Sequence, residues 1–200
     1  MMLINFLDYP HNFVELIKRD YKDAVLCPFP WCEEELQMEL SEIFTRLKIV
    51  GRKKERARLT KDIVKMTDVF SPHKQCEKPR VVLIEGLPGM GKTTYCQKLG
   101  YDWSVKDISL EACFPKVDML LRLTCRDMKT TNIEDVITDQ LLPLDADEKE
   151  RENVFHFIRC NQSRILLVLD GLDELPQDLF EGLLPLIKGR IFSNKIGRAH

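Results

Sequence analysis

Long apolar runs are missing from this sequence. The longest, such as Ile165 to Leu169, reach about five residues, against the roughly 20 that a membrane-spanning helix needs. A membrane segment is therefore not expected. The N-terminus has no basic stretch, and Asp8 and Pro10 cut its apolar residues short, so a signal peptide is not expected either. No sign of charge dominates: 30 Lys and Arg stand against 32 Asp and Glu, a formal net charge of -2. That balance offers nothing to attract nucleic acid or anionic lipid. C-x-x-C pairs are absent. The seven cysteines (Cys27, Cys32, Cys76, Cys96, Cys113, Cys125 and Cys160) are odd in number and scattered. Both a secreted disulfide framework and a zinc site read poorly, and reduced thiols in a cytoplasmic protein are expected. Repeats and low-complexity tracts are also lacking. What remains is 200 residues, 44% hydrophobic and 31% charged. That is ordinary globular usage, enough for one domain with a short extension.

The pattern changes along the chain. Glu15 to Val25 reads as a short helix, and Cys27 to Trp31, with Pro28 and Pro30, as an extended segment. Glu33 to Leu47 and Lys53 to Phe70 carry apolar residues at helical spacing, with Gly51 punctuating the stretch between them. The basic run at Arg52, Lys53, Lys54, Arg56 and Arg58 reads as a solvated helix face, because Glu55 interrupts it. From Val81 onward strands and helices alternate. Val81 to Ile84 is a short apolar run suited to a strand buried on both faces. Lys92 to Val105 is a helix. Val117 to Leu123 alternates as a strand with one buried face. Thr131 and Glu134 suggest a capping box for a helix over Ile133 to Leu142. Asp145 to Cys160 is a charged helix in which His156 lies among apolar neighbours, as a core or rim histidine would. Ile165 to Leu169 is a further strand. Leu179 to Ile187 is a helix that Pro185 limits or kinks. Such alternation implies a parallel α/β sheet covered by helices on both faces.

One motif carries chemistry. Gly86-Leu87-Pro88-Gly89-Met90-Gly91-Lys92-Thr93 matches G-x-x-x-x-G-K-S/T and sits between an expected strand and an expected helix. Glycines let the backbone turn tightly and approach a ligand. The loop then offers several N–H groups to an anion, and the helix behind it adds its positive end. The Lys92 ammonium suits terminal phosphates, and the Thr93 hydroxyl is a hard ligand for Mg²⁺. A second motif, Asp170-Gly171-Leu172-Asp173-Glu174, directly follows the apolar strand. A carboxylate at the C-terminal tip of a buried strand faces the crevice where open α/β sheets bind ligands. Asp170 suits Mg²⁺, and Asp173 or Glu174 could orient or deprotonate a water.

Taken together, Gly86 to Thr94 and Leu169 to Leu175 resemble the NACHT domain of STAND P-loop ATPases, the nucleotide switches of NOD-like receptors. The paired acids after the small residue, D-G-L-D-E, are the more specific part. The resemblance is firm over Val81 to Ile187 and extends less closely to Ile49, where Ile49-Val50-Gly51-Arg52 with Glu55 is similar to an adenine-pocket segment. It implies a truncated three-layer P-loop NTPase sheet with a short helical N-terminal extension over residues 1–48 and the domain itself over 49–194. It further implies ATP or ADP with Mg²⁺ as ligands. In that carry-over Gly86, Leu87, Pro88, Gly89, Met90, Gly91, Lys92, Thr93 and Thr94 hold phosphates, and Thr93 and Asp170 hold Mg²⁺. Asp173 and Glu174 serve hydrolysis, and Val50, Gly51 and Arg52 touch adenine. Self-association through the domain and innate-immune or cell-death signalling would follow, without nucleic acid or membrane as partner. The resemblance also places one further strand, ending in a sensor arginine, beyond residue 190, between the phosphate-loop strand and the D-G-L-D-E strand. Lys195 to His200 match the translation of a common sequencing adapter, so the natural chain is expected to continue differently after Asn194.

Other functions fit less well. A P-loop kinase acting on a small acceptor would need a lid with arginines and an acceptor site, and neither is evident. A nucleic-acid motor would need a basic track with stacking aromatics, which the charge balance opposes. A degenerate scaffold is hard to reconcile with Lys92, Thr93 and Asp170 all in place.

Overall fold

The computed structural model describes residues 9–23, 27–28, 37–38, 49–52, 59–64, 66–72, 80–105, 114 and 116–187. The chain divides into two compact units: Met1–Ile17 with Val117–His200, and Lys18–Lys116. Helix α1 (His11–Asp23) contributes its first part to one and its last part to the other.

The first unit is built on two parallel strands, β5 (Met119–Thr124) and β6 (Ile165–Asp170). They pair in unbroken register from Met119 opposite Ile165 to Thr124 opposite Asp170. Leu120 is as fully buried as Met119, Leu121 and Leu123. Successive strand residues point to opposite faces, so β5 is covered on both faces, as crossover helices require. This exceeds the single buried face expected from its alternation. Helices α3 (Ile133–Gln140) and α4 (Glu148–Cys160) supply Ile137, Val154, Phe157 and Ile158 to the core. The sheet is thus α/β with parallel strands, as the sequence implies.

Caps explain where these helices begin. The Asp147 carboxylate accepts from the Glu150 N–H at 2.7 Å and opens α4. Asn132, not Thr131, caps α3: its side-chain oxygen accepts from the Glu134 N–H at 3.2 Å. Asn outranks Thr as a cap, and Thr131 has another task. It lies so close to Gly182 on α5 (Gln177–Ile187) that a Cβ there would overlap its methyl group. Pro185 lies inside α5 and does not end it. At the other end of the unit the Tyr9 hydroxyl donates to the Asp118 carbonyl at 3.0 Å, and its ring meets Phe157 edge-on at 5.3 Å. The Asp118 carboxylate in turn pairs with Arg164 at 2.5 Å.

In the second unit, α2 (Lys92–Val105) matches the expected helix residue for residue. It buries Tyr95, Leu99 and Trp103 on successive turns. Tyr21 meets Trp103 edge-on at 6.1 Å. Gly100 lets it do so, since a Cβ would stand 3.1 Å from the Tyr21 ring.

Three expectations are corrected here. Lys53 to Phe70 is not a helix: β4 (Leu59–Val64) pairs antiparallel with β3 (Ile49–Arg52), and a 3-10 turn covers Met66–Phe70. The β-branched Val64 and Ile63 pair in register with the β-branched Ile49 and Val50, and strand pairing outweighs a helical apolar spacing. Glu33 to Leu47 is described only at Gln37–Met38, and these pair antiparallel with the extended Cys27–Pro28 as a two-residue ladder, β2 with β1. The remainder of that expected helix lies outside the described residues. Val81 to Ile84 forms no strand. It has no ladder partner among the described residues, and Val81, Val82 and Leu83 are exposed. A strand needs a neighbour for its N–H and C=O groups, whatever its side chains favour.

Among the described residues no helix is long and apolar enough to cross a membrane. Among the described residues Cys96, Cys125 and Cys160 are free cysteines.

Candidate functional site

The glycine-rich loop and the acidic strand end lie in different units, and each has its own geometry. In the loop, Gly89 and Gly91 adopt left-handed φ values of 76° and 79°, which side chains with a Cβ resist. Between them the loop tightens through a bond from the Met90 N–H to the Leu87 carbonyl at 3.3 Å. The chain then enters α2 at Lys92, with the Tyr95 N–H bonded to the Gly91 carbonyl at 2.9 Å. Lys92 bends back over the loop, and its Nζ donates to the Gly86 carbonyl at 2.8 Å and reaches that of Leu87 at 3.5 Å. A cation, the positive end of a helix and a glycine turn thus share one spot. Leu87, Pro88, Gly89 and Met90 are exposed and leave the loop open to solvent, while Thr93 is exposed and Thr94 half-buried in the first turn of α2. The donor set suits a polyphosphate.

At the other motif, β6 delivers Asp170 to its tip, where the residue is 7% exposed. Gly171 follows at a left-handed φ of 76°, and a 3-10 turn over Leu172–Glu174 closes with the Glu174 N–H bonded to the Gly171 carbonyl at 2.9 Å. Glu174 folds back, so that a Cβ on Gly171 would stand 3.4 Å from its carboxyl group. The glycine therefore meets two demands, a backbone turn and a close approach. Asp173 and Glu174 are exposed. Each of the three carboxylates is a hard-oxygen donor by type, but among the described residues no group of three His, Cys, Asp or Glu is placed to hold a metal ion.

Sequence reasoning missed two neighbours of this tip. Cys125, the residue after β5, is fully buried. Burial, and then the negative charges of Asp170, Glu174 and Asp173, push its thiol up to about 12. Gln140, the last residue of α3, bonds the main chain of Thr124 directly opposite Asp170 in the ladder. A polar residue ending an amphipathic helix gives little signal in sequence, and a lone cysteine gives less. Val50, Gly51 and Arg52 lie on β3, and their side chains lie outside the described residues.

Comparison with known proteins bears on the same region. The family model of the NACHT domain matches residues 80–195. The human Protein NLRC5 is 29% identical over 117 residues, 58% of this chain and 6% of that protein. The human NACHT, LRR and PYD domains-containing protein 3 is 27% identical over 124 residues, 62% of this chain and 11% of that protein. The Protein NLRC5 of Ictalurus punctatus is 26% identical over 99 residues, 48% of this chain and 5% of that protein. The chain thus corresponds to a small part of each of these relatives.

Proposed function

The chain belongs to the NACHT family, related to the NLRC5 and NLRP proteins among NOD-like receptors, and from that premise we propose that it is an ATP/ADP-binding regulatory switch. In this reading residues 49–194 are the nucleotide-binding domain. Gly86 to Thr94 embrace the phosphates with backbone N–H groups, and Lys92 exchanges the Gly86 carbonyl for a terminal phosphate oxygen. Thr93 and Asp170 supply hard oxygen ligands to Mg²⁺, which when bound neutralises phosphate charge. Asp173 or Glu174 orients water, so that slow hydrolysis resets the switch. Val50 to Arg52 lie toward adenine. Exchange of ADP for ATP favours an open form that self-associates and signals in innate immunity or cell death from the cytoplasm. The nucleotide can do this only by differential affinity: flipping a two-state ratio from 1:99 to 99:1 takes about 5.5 kcal/mol.

The observation that carries the proposal is the Lys92 ammonium held 2.8 Å from the Gly86 carbonyl, at the head of α2. Its loop neighbours are the exposed Gly89 and the half-buried Gly91, both in left-handed turns. The test is ATP titration of the protein and of Lys92→Ala. A charge-assisted hydrogen bond contributes about 1.5–3 kcal/mol, so the variant is expected to bind ATP about ten- to a hundredfold more weakly. An unchanged Kd in a variant of native circular dichroism overturns the assignment.

A further inference from the structure

A sulfur and an imidazole nitrogen meet on the last turn of α4, on residues that belong to neither motif. The Cys160 Sγ lies 3.4 Å from Nε2 of His156. Cys160 is exposed and His156 half-buried. Residues four apart share a helix face, and helices use that spacing when two histidines hold zinc. Zn–S bonds of about 2.3 Å and Zn–N bonds of about 2.0–2.1 Å, at a tetrahedral angle, set the two donors about 3.6 Å apart. The pair therefore stands within a few tenths of an ångström of a chelating geometry with the backbone as it is.

Two uses of such a pair compete, a reactive thiolate and a metal site. Reactive thiolates sit at helix N-termini or beside cations. Cys160 ends its helix, where the dipole presents negative partial charge, and the neighbouring Arg159 is engaged by Glu134 at 2.7 Å. That end favours a bound cation.

We infer that His156 and Cys160 form a two-ligand site for a thiophilic divalent cation of the zinc class. On binding, the Cys160 thiol gives its proton to solvent, and the Sγ and neutral Nε2 lone pairs each donate to the ion. Water fills the remaining positions, since no group of three His, Cys, Asp or Glu able to hold a metal occurs among the described residues. The ion staples the last turn of α4, immediately before the turn at Gln162–Arg164 that leads into β6 and Asp170.

The probe is Zn²⁺ alone, added to the 200-residue chain in a phosphine reductant. Alkylation by iodoacetamide is mapped by mass spectrometry at Cys160 and at the half-buried Cys96. Zinc is expected to slow alkylation of Cys160 at least tenfold while leaving Cys96 unchanged. His156→Ala is expected to need at least tenfold more zinc for the same protection. Where that variant loses helicity, His156→Gln keeps the bulk of the side chain and gives the same readout. Unaltered alkylation of Cys160 under zinc overturns the site, and so does equal protection in both His156 variants.

Discussion

The side-chain amide of Gln140 bonds both main-chain groups of Thr124, accepting from its N–H at 2.8 Å and donating to its carbonyl at 3.0 Å. Thr124 is the ladder partner of Asp170, so a residue at the end of α3 completes the pairing of β5 at the level of the acidic tip. Each such bond contributes about 0.5–1.5 kcal/mol net, and an orphaned buried partner costs more. Gln140→Ala is therefore expected to lower stability by about 1–3 kcal/mol, read as a shift in urea midpoint with an unchanged slope. Gln140→Glu should be no better at neutral pH, because it keeps the acceptor for the N–H and sets an anionic oxygen against the Thr124 carbonyl. Wild-type stability in both variants removes the clamp.

Cys125 makes a pH-dependent contribution whose sign is fixed by the direction of its shift. Its thiol titrates at about 12 in the folded chain against 9.0 when unperturbed, raised first by burial and then by Asp170, Glu174 and Asp173. A folded value above the unfolded one means that the contribution is fully present below about pH 9 and disappears as pH rises through about 12. The urea midpoint of the wild type is expected to fall over this window more steeply than that of Cys125→Ala. Equal slopes in the two proteins contradict the shift. At neutral pH the same thiol should resist iodoacetamide until the chain unfolds.

What could be read from sequence follows from how local the cause is. The α2 boundaries, the left-handed glycines of the loop and the acidic turn after β6 depend on residues within a few positions of one another, and the motifs state them. The cap of α3 is Asn132 rather than Thr131: both residue types cap, Asn ranks higher, and Thr131 packs instead against Gly182, some fifty positions away. The pairing of β3 with β4 is not legible locally, because Leu59, Ile63, Met66 and Phe70 satisfy helical spacing, while the pairing of Ile49 with Val64 and Val50 with Ile63 decides the outcome. Gln140 and Cys125 belong to the same class. Each acquires its role from a strand tip distant in sequence, and nothing in its own neighbourhood announces it.

Val81 to Ile84 presents the reverse case, a segment whose side chains state a strand that its surroundings do not complete. Val81 is 49% exposed and Leu83 66%, and no ladder partner occurs among the described residues. An extended apolar segment with free N–H and C=O groups is a template for pairing with another chain. The 200-residue chain is therefore expected to self-associate through this segment. Replacing its most exposed apolar residue with a charge, Leu83→Lys, blunts that edge in the way natural edge strands do. The substitution should raise the soluble concentration several-fold, measured by the supernatant protein remaining after ultracentrifugation, and leave the far-ultraviolet circular dichroism unchanged. Were solubility to stay the same, the association would have to be sought elsewhere on the surface. A fall in helicity on substitution would mean instead that Leu83 is packed in solution and that the segment finds a strand partner there.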